Sequence, residues 1–213
     1  YWVSARDKTH TPYETNGVEL HFSSWQQALG YSQLLDTTPG SKPGREDAAI
    51  AVGRTFADEE SNVYITPIAK GGVGVDTWYD LVVHKGFNLN NLAPELELAV
   101  STNFVRPGGS VTFTVTATDP NADALAYYWD MSDGAVAPNS PTLTRSFADT
   151  GEYVIRVEVS DMKGGLTSEH VVITVGTPGT FRISGQVIDT DGVPLQRVRV
   201  SNGSLTENPY NYA

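Results

Sequence analysis

Tyr127-Tyr128-Trp129-Asp130-Met131-Ser132-Asp133-Gly134 reads as a strand running into an acidic turn. Side chains alternate across a strand, so Tyr127 and Trp129 share one face and Tyr128 takes the other. The large indole of Trp129 suits the interior of a two-layer β structure, and Gly134 is free to take the positive φ of a tight turn. Outward from this stretch, Val111, Phe113, Val115 and Ala117 alternate with Thr112, Thr114 and Thr116. The same period of two returns in Tyr153, Ile155, Val157 and Val159, and in Val171, Ile173 and Val175. Each is the pattern of a strand with one buried face, and together they predict a sandwich of about seven strands. Tyr128, on the opposite face from Trp129, is the candidate ligand-contact residue; the alternative is that it packs on the sheet face.

Before this sandwich, residues 1–87 alternate β-like runs with polar loops: Tyr1-Trp2-Val3, Val18 to Phe22, Ile50-Ala51-Val52, Val63-Tyr64-Ile65 and Trp78 to Val83. Asn16-Gly17, Pro39-Gly40, Pro43-Gly44 and Gly71-Gly72 read as turns. Gln26 to Leu35 is the one short stretch that predicts a helix. Asn88 to Pro94 breaks the rhythm as a linker, and Thr177-Pro178-Gly179 marks a second boundary. The expected organisation is all-β, in serial β-sandwich modules, with domains over 1–90, 91–177 and 178–213.

Composition narrows the function classes. A formal net charge of -11 argues against nucleic acid, whose phosphates demand clustered Lys and Arg. No apolar run approaches the roughly 20 residues of a membrane helix, so no membrane insertion is expected. With no Cys, disulfides and thiolate metal sites are excluded, and stability must come from packing or from bound cations. Tyr1 stands where an initiator Met would, and no leader is visible, which suggests a piece of a longer protein.

Reactive constellations are missing. There is no His-Glu-x-x-His, and His10, His21, His84 and His170 are scattered, reading as polar-face residues of sheets. No Gly-x-Ser-x-Gly elbow and no phosphate loop exist. Asp36, Asp58 and Asp80 read as carboxylates in solvated loops rather than paired acids. Catalytic residues are therefore expected to be none.

Three family resemblances add to this reading. Trp129 to Gly134, answered by Phe147, Gly151, Tyr153 and Asp161, resembles the Trp-Asp-Phe-Gly-Asp-Gly signature of the PKD (polycystic kidney disease) domain, an immunoglobulin-like, non-catalytic spacer and binding module of secreted or surface proteins. Asp119-Pro120-Asn121-Ala122-Asp123 matches that family's Asp-Pro-Asp-Gly-Asp position, with Asn121 and Ala122 replacing an acid and a glycine. Some collagenase-type PKD domains bind Ca²⁺ near the domain entrance, and the positions carried over are Asn91, Asp119 and Asp161. The alternative is that Asp119 and Asp161 cap turns by accepting backbone N–H groups. Residues 92–177 hold eleven Asp and Glu against four Lys and Arg, so a cation there would relieve repulsion.

Tyr1 to Arg6, Gly17 to His21, Leu34 to Ser41 and Val52 to Asp58 resemble the β-rich region after the catalytic domain of gametolysin-like secreted zinc metallopeptidases. Phe181 to Leu195, with Val198, Val200 and Asn202-Gly203, resembles the opening of a carboxypeptidase-regulatory-like domain. The implied function is a non-catalytic accessory segment of a secreted, bacterial metallopeptidase. It would tether extracellular protein or polysaccharide substrate, with Zn only in an upstream catalytic domain. The alternative is a structural or adhesive stalk of a cell-surface protein, its joints stiffened by Ca²⁺. A free-standing enzyme is the third reading.

Overall fold

The computed structural model describes residues 1–6, 17–22, 33–38, 47–73, 76–131, 137–177 and 187. The chain divides into two compact units, Tyr1–Pro178 and Gly179–Ala213. Residues 178–213, expected to open a regulatory-like domain, fall almost wholly outside the described residues, as do His10, Ser132, Asp133, Gly134 and most of the expected helix.

Among the described residues every regular element is a strand, as the alternating patterns require. In the first region β1 (Trp2–Arg6), β2 (Gly17–Phe22) and β3 (Gln33–Leu34) form one sheet in that order. A second sheet holds β4 (Phe56–Asp58), β5 (Val63–Gly71) and β6 (Trp78–Lys85). Leu20 and Ile65 from the two sheets meet Ile50, with Leu35, Phe56 and Val63 around them.

Several sequence expectations are corrected here. Gln33-Leu34, the end of the expected helix, is strand β3, paired with His21 and Phe22. Adjacent Leu34 and Leu35 fit either period; the bond from Leu35 N to Leu20 O at 2.8 Å, beside the Leu20 core, decides for strand. Ile50 to Val52 makes only the isolated bridge Val18↔Ile50. Gly17 is the first residue of β2, where a Cβ would lie 2.7 Å from Ile50 O, while Asn16, its partner in the expected turn, lies outside the described residues. β5 runs through Pro67, whose missing N–H coincides with a register shift against β6 between Pro67 and Ala69.

The sandwich follows the sequence pattern closely. β7 (Glu95–Val100), β9 (Ser110–Thr118) and β11 (Thr142–Ser146) form a sheet in the order β11-β9-β7. Opposite, β8 (Phe104–Val105), β10 (Ala126–Asp130), β12 (Gly151–Ser160) and β13 (Leu166–Val175) run β10-β12-β13-β8. These are the seven expected strands. Val111, Phe113 and Val115 are buried while Thr114 and Thr116 face outward. Ile155, Val157, Val159, Ile173 and Val175 close the core from the other sheet. Trp129 lies within it, 5.9 Å from the Phe113 ring centroid, with its Nε1 donating to Ser140 O at 2.9 Å.

Candidate functional site at the joint between the first region and the sandwich

The linker residues Asn88 to Pro94 carry no strand, yet they are held at both ends of their polar surface. Asn91 Nδ2 donates to Asp161 Oδ2 at 2.6 Å. Leu92 N donates to Asn121 Oδ1 at 2.9 Å, and Asn121 Nδ2 returns to Asn90 O at 3.3 Å. Thr167 Oγ1 donates to Pro94 O at 2.6 Å. Gly165 permits this approach, since a Cβ on it would lie 2.8 Å from Ala93 Cα.

Two of the three residues carried over as Ca²⁺ ligands, Asn91 and Asp161, are in direct contact. Asp119 lies in the loop whose Asn121 grips the linker. Three of the four carboxylate oxygens of Asp119 and Asp161 are already engaged. Asp161, 1% exposed, accepts Lys163 N at 2.7 Å and Gly165 N at 2.9 Å on Oδ1, and Gly165 N at 3.1 Å with Asn91 on Oδ2. Asp119 Oδ1 accepts Asn121 N at 2.8 Å and Asp123 N at 3.0 Å. Asp123 Oδ1 takes the Lys163 ammonium. Only Asp119 Oδ2 is a buried oxygen of this set without a partner. Ca²⁺ asks for six to eight oxygens, and no cluster of three His, Asp or Glu suited to a metal occurs among the described residues. The donor set as arranged does not fit a divalent cation; the carboxylates act as turn caps instead.

A second set of contacts locks the first region onto β10 and the turn after β12. Thr55 Oγ1 donates to Ser160 Oγ at 2.8 Å and shares a hydrogen bond of the same length with Thr66 Oγ1. Thr66 and Ser160 are both buried, and Ser160 Oγ also accepts Met162 N at 3.0 Å. The register shift after Pro67 leaves Ile68 O to accept Asn139 Nδ2 at 3.1 Å, while Asn139 Oδ1 takes Tyr127 N at 2.8 Å. Gly53, at φ +86, sits so close that a Cβ would be 1.9 Å from Tyr127 O. Gly164, at φ +115, lies under Tyr64.

Tyr128 belongs to this joint. It is half-buried, and burial first, then the negative charges of Asp130, Glu158 and Asp47, push its hydroxyl up to about 12 against a smaller opposing pull from Arg54. The more open aromatic is Trp78, 50% exposed. Its indole covers Gly71, where a Cβ would meet Cζ2 at 2.2 Å. Nothing in its spacing singled it out; its cross-strand pairing with a glycine was the missing signal.

One polar cluster was not foreseen. The β1–β2 register places Ser4 opposite Glu19, and Ser4 Oγ lies 3.1 Å from Glu19 Oε2 and 3.3 Å from His21 Nε2. The same Nε2 is 3.2 Å from Glu19 Oε2. A nucleophile triad uses the two ring nitrogens for different partners. Here one nitrogen faces both, and the hydroxyl donates to the carboxylate, so the serine is not activated. His21, His84 and His170 lie on three different sheets. Asp36 caps Thr38 N at 2.9 Å, Asp80 is exposed, and Asp58 is held below the usual carboxylate range, first by the Tyr1 hydroxyl.

Residues 95–175 match the PKD domain family, from the first residue of β7 to the last of β13. Similar solved structures include the PKD1 domain of Vibrio anguillarum Epp, 24% identical with a TM-score of 0.35, covering 42% of this chain and 100% of that one. The PKD1 domain of Vibrio cholerae metalloprotease PrtV is 25% identical with a TM-score of 0.34, covering 40% and 100%. The PKD domain of an M14-like peptidase from a Thermoplasmatales archaeon is 20% identical with a TM-score of 0.34, covering 41% and 96%. No curated protein gives a significant match to the chain. The seven-stranded sandwich of residues 95–175 is a PKD domain.

Proposed function

We propose that this segment is a non-catalytic accessory part of a secreted metallopeptidase, serving as spacer and substrate tether for a catalytic domain upstream. The observation that carries the reading is a PKD domain, a non-catalytic module, joined without slack to the region before it. A rigid spacer fixes the distance between an active site and a surface contact, and even a weak contact then raises the local substrate concentration. The partners are extracellular protein or polysaccharide; the acidic surface suits neither nucleic acid nor an anionic membrane. PKD domains are typical of extracellular proteins, and no helix among the described residues is long and apolar enough to cross a membrane. With Tyr128 engaged in the joint, Trp78, the most exposed of the tyrosines and tryptophans whose side chains are described, offers its ring to a flat sugar or peptide surface.

Purified residues 1–213 are expected to leave casein intact with added Zn²⁺ and to co-sediment with insoluble collagen or chitin, and Trp78→Ala should reduce that retention. Casein cleavage by the segment alone refutes the proposal. The stitched joint equally favours a second reading, a structural stalk. In that case nothing is retained on any matrix and the segment serves only as a rigid connector.

A further inference from the structure

We infer that Lys163 is the built-in counter-ion of the joint, doing with an ammonium what the PKD resemblance assigns to Ca²⁺, so that the joint is stiff without a divalent cation. Residues 92–177 contain one lysine, and it falls among the acids that face the linker. Its side chain pairs with Asp123, at 33% and 15% exposure respectively. Its own backbone N–H donates to Asp161 Oδ1 at 2.7 Å. Asp161 in turn holds Asn91, and Asp119 Oδ1 accepts the N–H groups of both Asn121 and Asp123. One residue thereby connects the two acidic loops that grip Asn90 to Leu92. A cation bridging two carboxylate-bearing loops performs that same task.

The replacement of the family's acid and glycine by Asn121 and Ala122 fits this arrangement. Asn121 binds the linker with a neutral amide, through both its oxygen and its nitrogen. The local negative charge falls to a level that one ammonium partly offsets.

Thermal melts of residues 1–213 in millimolar Ca²⁺ and in EDTA test the inference. The wild-type Tm is expected to be the same in both, while Lys163→Met lowers it by about 3 °C in either buffer. Asp123→Asn should cost about as much, and the double variant little more than either single one, since both remove the same contact. A wild-type Tm that rises by several degrees in Ca²⁺ and falls back with EDTA overturns the inference. So does a Lys163→Met protein that melts like wild type, or a double variant whose loss is the sum of the two. If Lys163→Met does not fold, Lys163→Arg and Asp123→Asn supply the same comparison, with the arginine retaining the wild-type Tm.

Discussion

The PKD sandwich and the region before it are both built of strands, yet they stay folded by different means. In the sandwich, two sheets enclose a continuous core that includes Val111, Phe113, Trp129, Phe147, Ile155, Val157 and Ile173. The first region gathers Leu20, Ile50 and Ile65, and then leans on its neighbour through Thr55, Thr66, Gly53 and Ile68. Apolar burial scales with the area removed from water, whereas a buried hydrogen bond adds only about 1 kcal/mol net. The sandwich therefore has the means to fold by itself, and the first region depends on being docked.

That contrast breaks most visibly at Trp129. Trp129→Ala empties the middle of the core and leaves Ser140 O without its indole donor. The expected loss is about 3 to 5 kcal/mol, measured by denaturant unfolding. Both regions should unfold together, because the first has nothing left to dock on. Survival of the first region's transition in this variant would reverse the dependence.

Gly53→Ala attacks the joint without touching the core. The added methyl meets Tyr127 O, at a φ of +86 that L residues rarely adopt. A loss of about 2 kcal/mol is expected, confined to the first region. Calorimetry should resolve an early transition ahead of a sandwich melting near its wild-type temperature. A single transition shifted as a whole would mean that the two regions form one cooperative core.

The same contrast governs what the amino-acid sequence discloses. In β9, over residues 155–159 of β12 and over residues 173–175 of β13, the alternation of apolar and polar residues is also the alternation of inside and outside, so the core was legible there, whereas Val154 and Leu166 are apolar yet exposed. In β2 it is not: Val18, Glu19 and Leu20 are all buried, because both faces are covered. Gly17 reads as a turn residue in sequence, but it is small because the backbone of Ile50 passes close to it. At the joint, Asp119 and Asp161 were legible as loop acids, and their turn-capping alternative is what their hydrogen bonds display. The roles of Lys163, Thr55 and Ser160 were hidden, since each depends on a partner 40 or more residues away. No local period encodes such a pairing.

Smaller effects sharpen the distinction between the joint and the open faces. Thr55→Val removes hydrogen bonds to two buried hydroxyls, those of Thr66 and Ser160, and should cost about 1 to 2 kcal/mol. Thr112 and Thr144 share a bond of similar length, 2.9 Å, on the exposed face of the sandwich. Thr144→Val there is expected to stay within about 0.5 kcal/mol of wild type, as exposed substitutions do. Equal costs at the two sites would show that the joint is as wet as the open sheet.

Tyr128 tests the joint through pH. Burial favours the neutral phenol, so its folded pKa, about 12, lies above the ordinary 10.0. The unfolded chain then loses this proton first. Stability from the group is complete below pH 10 and declines as pH rises through 10 towards 12. Tyr128→Phe has no proton to lose, so above pH 10 its stability should fall less steeply than that of wild type, with little difference at pH 7. Tyr1 contributes an alkaline slope of the same sign in both proteins, its hydroxyl raised to about 12 by burial and by Asp58, so the difference between the two pH profiles isolates Tyr128. Parallel profiles from pH 9 to 12 would place the Tyr128 hydroxyl in water and remove it from the joint.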